Sequence, residues 1–234
     1  MAPEASASGP IRRVLVTGIS SGIGAAIGSA LLDAGWQVIG LSRTPPAKAD
    51  ERLKHIAVDL SDAEALAAAL AGIGRLDAFV HAAGILRVGS IGAQRLEDGH
   101  AMWRLHVEAS VQLVEHVAPS LPDGGRIVLI GSRTANGAAG RGQYAASKAA
   151  LVGLARSWAL ELAPRGVTVN VIAPGATETP MLTDPKRSAV APKLPPIGRF
   201  VQPGEIAALA AFLLSPAAAS LTGQQIVVCG GASL

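Results

Sequence analysis

Arg12-Arg-Val-Leu-Val-Thr17-Gly18-Ile-Ser20-Ser21-Gly22-Ile23-Gly24 is a branched apolar run, a loop with three glycines in seven positions, and the start of an Ala-rich stretch. The run reads as a buried strand ending at Thr17, and the stretch that begins near Ile23 reads as a helix. Glycines at that junction allow a tight turn and let backbone N–H groups at a helix N-terminus approach a pyrophosphate. A glycine-rich loop alone is a weak signal, but between the first strand and first helix of a β-α-β unit it is a strong one.

The same alternation continues to the C-terminus. Apolar runs predict strands over 12–17, 36–42, 54–58, 76–81, 125–132, 166–172 and 225–229, and longer Ala/Leu-rich stretches predict helices over 22–34, 62–71, 95–118, 143–163 and 203–214. The fold class expected is α/β: a single-domain, Rossmann-type, doubly wound parallel sheet of about seven strands with helices on both faces. Residues 1–10 read as a flexible tail and 11–234 as one dinucleotide-binding domain. Within it, 179–200 holds five prolines and no periodicity, and is expected to be a substrate loop.

Composition narrows the function. Half of the 234 residues are hydrophobic, enough for one well-buried core. No apolar run reaches the roughly 20 residues of a membrane span, and the first ten residues lack the pattern of a secretion signal. The 15 arginines are scattered and interleave with no aromatic run, so neither nucleic acid nor membrane is an expected partner. The single Cys229 excludes an internal disulfide framework and fits a cytoplasmic setting, where it reads as a small buried hydrophobe.

The chain has one tyrosine, and a lysine follows it four positions later: Tyr144-Ala-Ala-Ser-Lys148. On a helix these share a face. At about 4 Å and an effective dielectric near 20, the ammonium favours a phenolate by roughly 4 kcal/mol. At about 1.4 kcal/mol per unit, that lowers a phenol's pKa by roughly three units, into general acid/base range.

Together, Gly18-x-x-x-Gly22-x-Gly24 and Tyr144-x-x-x-Lys148 resemble the short-chain dehydrogenase/reductase family, and the likeness runs from Arg12 to Leu234. The resemblance implies that the loop from Thr17 through Ser20, Ser21 and Ile23 to Gly24 holds the cofactor. It makes Tyr144 the acid/base and Lys148 the residue that lowers its pKa and orients the ribose. It assigns the polarisation of the substrate oxygen to Ser132, at the carboxyl edge of the strand Gly125–Gly131. Pro174-Gly175-Ala-Thr177-Glu-Thr179 resembles the family's turn at the nicotinamide, and Asp59-Leu60 its adenine contact; Ser61 or Asp62 is left to cap the next helix.

The resemblance also frames the cofactor choice. Ser42 stands where NAD-binding relatives place an acidic residue, and Arg43 follows it; a guanidinium there pairs with an adenosine 2′-phosphate, which points to NADP, with NAD possible. Two positions depart from the family. His81-Ala82-Ala83-Gly84 replaces an Asn-containing motif after the fourth strand, and His106 stands where relatives place the asparagine that holds a relay water beside the lysine. A histidine there could hold the water or pass the proton. His55, His100 and His116 read as solvated or packed.

The expected activity is reversible hydride transfer between NADP(H) and a small-molecule secondary alcohol or ketone. An NAD-dependent alcohol or dihydrodiol dehydrogenase is one alternative, prompted by a likeness of 81–89 and 196–206 to the dihydrodihydroxybenzoate dehydrogenase branch. A nucleotide-binding regulatory protein with little catalysis is another. The family likeness further implies a homodimer or homotetramer packed through the helices that carry His106 and Tyr144.

Overall fold

A computed structural model describes residues 12–183 and 192–234. The expected tail, 1–10, and the middle of the expected substrate loop, 184–191, lie outside the described residues. Seven strands form one parallel sheet: β1 (Arg13–Thr17), β2 (Gln37–Ser42), β3 (Leu53–Ala57), β4 (Ala78–His81), β5 (Arg126–Ile130), β6 (Thr168–Pro174) and β7 (Gln225–Val228). Their spatial order is β3-β2-β1-β4-β5-β6-β7. The chain therefore winds outward one way from β1 and the other way from β4, and the crevice between these two strands is the topological switch point where such sheets bind ligands.

Both faces of the sheet are covered, and side-chain alternation distributes the core between them. Leu15, Phe79, Ile127 and Leu129 point to one face, where α2 (Ala63–Ala71), α4 (Ala109–Val117) and α5 (Gly142–Leu162) pack. Val14, Val16, Val80, Val128 and Ile130 point to the other, against α1 (Gly22–Asp33) and α6 (Pro203–Leu213). This two-sided burial is why the strands read as unbroken apolar runs rather than alternating ones. Burying a large aliphatic or aromatic side chain such as Leu15 or Phe79 contributes about 2 kcal/mol.

Register brings the functional loops to one edge. Thr17 pairs with His81, His81 with Leu129, and Ile130 with Ile172, so the segments after β1, β4, β5 and β6 all emerge side by side. The helix expected over 95–118 is interrupted: α3 (Leu96–Trp103) and α4 are joined by a π turn over Arg104–Glu108. There the Ala109 N–H bonds the carbonyl of Arg104 rather than that of Leu105, adding one residue to the turn.

Candidate active site and nucleotide groove

At the carboxyl end of β1 the backbone itself forms the wall. Gly18 has a φ of +69°, and a Cβ there would lie 2.9 Å from the Ala83 backbone. A Cβ on Gly24 would lie 2.2 Å from the Gly18 carbonyl oxygen, a position closed to any side chain. The loop can thus lie flat against the β4 exit while the first turn of α1 presents its N–H groups outward. No side chain caps that helix end, so those donors remain available.

The groove over this loop encloses about 440 Å³. Gly18, Ser20 to Gly24, Ser42, Arg43, Asp59 and Leu60 line it, followed by Ala82 to Gly84. Asp62 caps α2 by accepting from the N–H groups of Glu64 and Ala65 at 3.1 and 3.0 Å, which leaves Asp59 to line the groove while bonding Ser61 N at 2.9 Å. The Ser42 hydroxyl donates to Thr44 O at 2.7 Å and also meets His55, which is therefore packed. Backbone donors, an arginine at the far end and a long cleft fit a dinucleotide.

Thr17 and His81 are fully buried and lie beneath the wall rather than on it. The Thr17 hydroxyl oxygen accepts from the N–H groups of Ala82 and Ala83 at 3.0 and 3.1 Å, so its own proton faces His81 Nδ1 at 3.0 Å. His81 Nε2 then donates to Leu105 O at 3.2 Å, the carbonyl bypassed by the Ala109 N–H in the π turn. The network assigns one neutral tautomer. Burial, and then the nearby Lys148 charge, push the His81 pKa down to about 3.

His106 is also fully buried, and its ring nitrogens are both engaged. Nε2 accepts from Ile85 N–H at 3.0 Å, so the proton sits on Nδ1, which donates to the Ser147 hydroxyl at 2.9 Å. Ser147 passes the chain on to the carbonyl of Tyr144 at 2.9 Å. The imidazole meets the Tyr144 ring edge-on, with centroids 5.7 Å apart. Burial first, and the charge of Lys148 second, hold the His106 pKa well below its ordinary value.

The reaction cavity, about 410 Å³, adjoins the groove through Ile23, Ala82, Gly84 and Thr179. Ser132, Tyr144 and Lys148 all open onto it, as do Pro174, Gly175 and Thr177. Ser132 Oγ accepts from Thr134 N–H at 3.1 Å, leaving its hydroxyl proton for another acceptor. Lys148 Nζ donates to Ile130 O at 2.8 Å, and burial pushes its pKa down to about 7. A Cβ on Gly84 would lie 3.1 Å from His106 Nε2 and 3.5 Å from Lys148 Nζ, so the bare backbone there lets both nitrogens reach one spot.

Sequence reasoning missed Ser147, whose signal was its position three residues after Tyr144, and the cations Arg133, Arg141 and Lys193 on the cavity wall. The expected substrate loop contributes Thr179, Met181, Leu182 and Pro192 to the cavity. Among the described residues no cluster of metal-ligating side chains occurs, and no helix is long and apolar enough to cross a membrane.

Comparison with known proteins places this arrangement. A family model described as enoyl-(acyl carrier protein) reductase matches residues 18–233. The 3-oxoacyl-[acyl-carrier-protein] reductase FabG of Vibrio harveyi is 37% identical over 237 residues, covering 93% of this chain and 95% of that protein. The 2,3-dihydro-2,3-dihydroxybenzoate dehydrogenase of Escherichia coli K12 is 36% identical over 242 residues, covering 95% and 97%. A solved short chain dehydrogenase family protein from Francisella tularensis superposes with a TM-score of 0.88 at 30% identity, covering 95% of this chain and 99% of that one.

Proposed function

Since the chain belongs to the short-chain dehydrogenase/reductase family and is an NAD(P)-dependent oxidoreductase, we propose that it uses NADP(H) to interconvert a secondary alcohol and a ketone, with Tyr144 as acid/base. The observation that carries this reading is that Ser132, Tyr144 and Lys148 open onto one cavity continuous with the glycine-loop groove. Gly18–Gly24 would hold the cofactor and Arg43 its adenosine phosphate, and the nicotinamide would supply or accept the hydride.

In this reading Ser132 donates its free proton to the substrate oxygen, and Tyr144 gives the proton that completes the alcohol. Lys148, whose pKa burial brings down to about 7, favours the phenolate in its ammonium form. His106 is a positioning residue: bonded to Ile85 and, through Ser147, to the Tyr144 carbonyl, it ties the β4 exit to the helix that carries the phenol. Exposed Trp103 and Leu160 suit a subunit contact in a homodimer or homotetramer.

The test is nicotinamide oxidation over a panel of ketones and 3-oxoacyl thioesters with wild type and Tyr144→Phe. We expect the variant to bind NADPH and lose turnover by about 10²- to 10⁴-fold, the usual contribution of a positioned acid. Turnover that survives in Tyr144→Phe would remove the phenol from the mechanism. Tight NADPH binding with no turnover in wild type would support a regulatory nucleotide-binding protein instead.

A further inference from the structure

We infer that the substrate is anionic: a carbonyl compound bearing a carboxylate or phosphate close to the reacting carbon, with Arg133 as the residue that selects it. This rests on the reading that Ser132 and Tyr144 hold the carbonyl oxygen. The cavity wall carries Arg133, Arg141 and Lys193 besides Lys148, and no Asp or Glu among the described residues that line it. A concave wall of one charge sign focuses its potential inward and concentrates ligands of the opposite sign.

Arg133 is the most informative of the three. It directly follows Ser132, opens the short 3-10 turn Arg133–Asn136, and is half-buried. Among the described residues its guanidinium makes no hydrogen bond or ion pair. Several other arginines have carboxylate partners, as in Arg52–Asp50, Arg87–Asp98, Arg165–Asp123 and Arg199–Glu205.

A neutral substrate filling this cavity would strip water from the Arg133 cation and return nothing, whereas a carboxylate or phosphate would supply the missing partner, in bidentate geometry if it lies flat against the fork. Since Arg133 adjoins the residue that holds the carbonyl, the anion belongs within a few bonds of the reacting carbon. In the reductive direction the carbonyl carbon receives a hydride and its oxygen a proton from Tyr144. The two-electron reduction is balanced by oxidation of the nicotinamide, and the anionic group is unchanged.

Two matched pairs test this: acetoacetate against its ethyl ester, and dihydroxyacetone phosphate against dihydroxyacetone. We expect wild type to prefer the charged member of at least one pair by about tenfold or more in kcat/KM, mainly through KM, which is the scale of one charge-assisted hydrogen bond. The pair that responds identifies carboxylate or phosphate. Arg133→Ala should collapse the ratio to near one, and Arg133→Lys should keep part of it.

Binding of the same four compounds to NADPH-loaded Tyr144→Phe, followed by calorimetry, reads the preference without turnover. Neutral members handled as well as or better than charged ones, a ratio that survives Arg133→Ala, or no anion binding at all would overturn the inference. If wild type reduces the neutral members, the carbonyl-reductase reading stands while the inference falls. If the anions bind to the Tyr144→Phe protein through Arg133 but wild type reduces none of the four, the anion site stands and the assignment of these carbonyl compounds as substrates falls.

Discussion

The nucleotide groove and the reaction cavity share a wall at Ile23, Ala82, Gly84 and Thr179, yet they are made of different material. The groove has a backbone floor, where the Gly18–Gly24 loop is pressed against Ala83 so closely that a single methyl group would not fit. The cavity presents the side chains of Ser132, Arg133, Tyr144 and Lys148, brought from the end of β5 and from α5, with the loop after β6 closing it. Backbone cradles bind what all dinucleotides share, whereas side-chain walls select. The difference separates what this chain has in common with its relatives from what is its own.

The largest effect should come from attacking the backbone side. Gly24→Ala forces a methyl group to within 2.2 Å of a main-chain oxygen that is itself fixed by its loop. We expect NADPH and NADH affinity both to fall by more than about 100-fold, because the anion-binding N–H groups lose their alignment. Fluorescence titration of the bound nicotinamide reads this directly. Retention of affinity within a few-fold would mean that the groove is less rigid than its close approaches imply.

Next in size is Arg43→Ala, which touches the one side chain through which the groove is expected to discriminate. Losing a bidentate guanidinium-phosphate contact should weaken NADPH by about 10- to 100-fold and leave NADH nearly unchanged. Parallel titration with the two cofactors gives the ratio. An unchanged ratio would move the enzyme to NAD-linked chemistry and turn attention to alcohol oxidation.

The same contrast explains which parts were legible in the sequence. Strand and helix positions followed from apolar runs buried on both sheet faces, and the glycine loop from its place between β1 and α1. Tyr144 and Lys148 were legible because helical spacing alone puts them on one face. The π turn at 104–108 was not, since one inserted residue shifts the phase of a helix without altering its composition. Nor were the buried places of Thr17 and His81, because a residue at a strand end can face the cleft or the floor beneath it. Arg133 and Arg141 looked like scattered surface charges; only the closure of the fold turns residues eleven and three positions before Tyr144 toward its cavity.

The smallest effect concerns the seam between the two regions, where His81 and His106 hold the β4 exit against the π turn and α5. Both are neutral in the folded chain and ordinary histidines in the unfolded one, so the unfolded state takes up more protons as pH drops below about 6.5. Their contribution to stability is therefore present above that pH and lost as pH falls towards their depressed folded values, each at a limiting slope of about 1.4 kcal/mol per pH unit. Lys148 acts in a separate window: its folded value near 7 lies below the unfolded one, so its penalty is full below pH 7 and is relieved as pH rises towards about 10.5. His106→Asn should thus flatten the acid limb of a denaturation series between pH 6 and 5 by about 1.4 kcal/mol per unit, leaving the alkaline limb alone. It should also lower kcat, because asparagine is too short to span Ile85 N and Ser147 Oγ together. An unchanged acid limb would place the ring's proton balance outside folding, and an unchanged kcat and pH-rate profile would remove His106 from the catalytic apparatus and leave its bonds to Ile85 and Ser147 a purely structural brace.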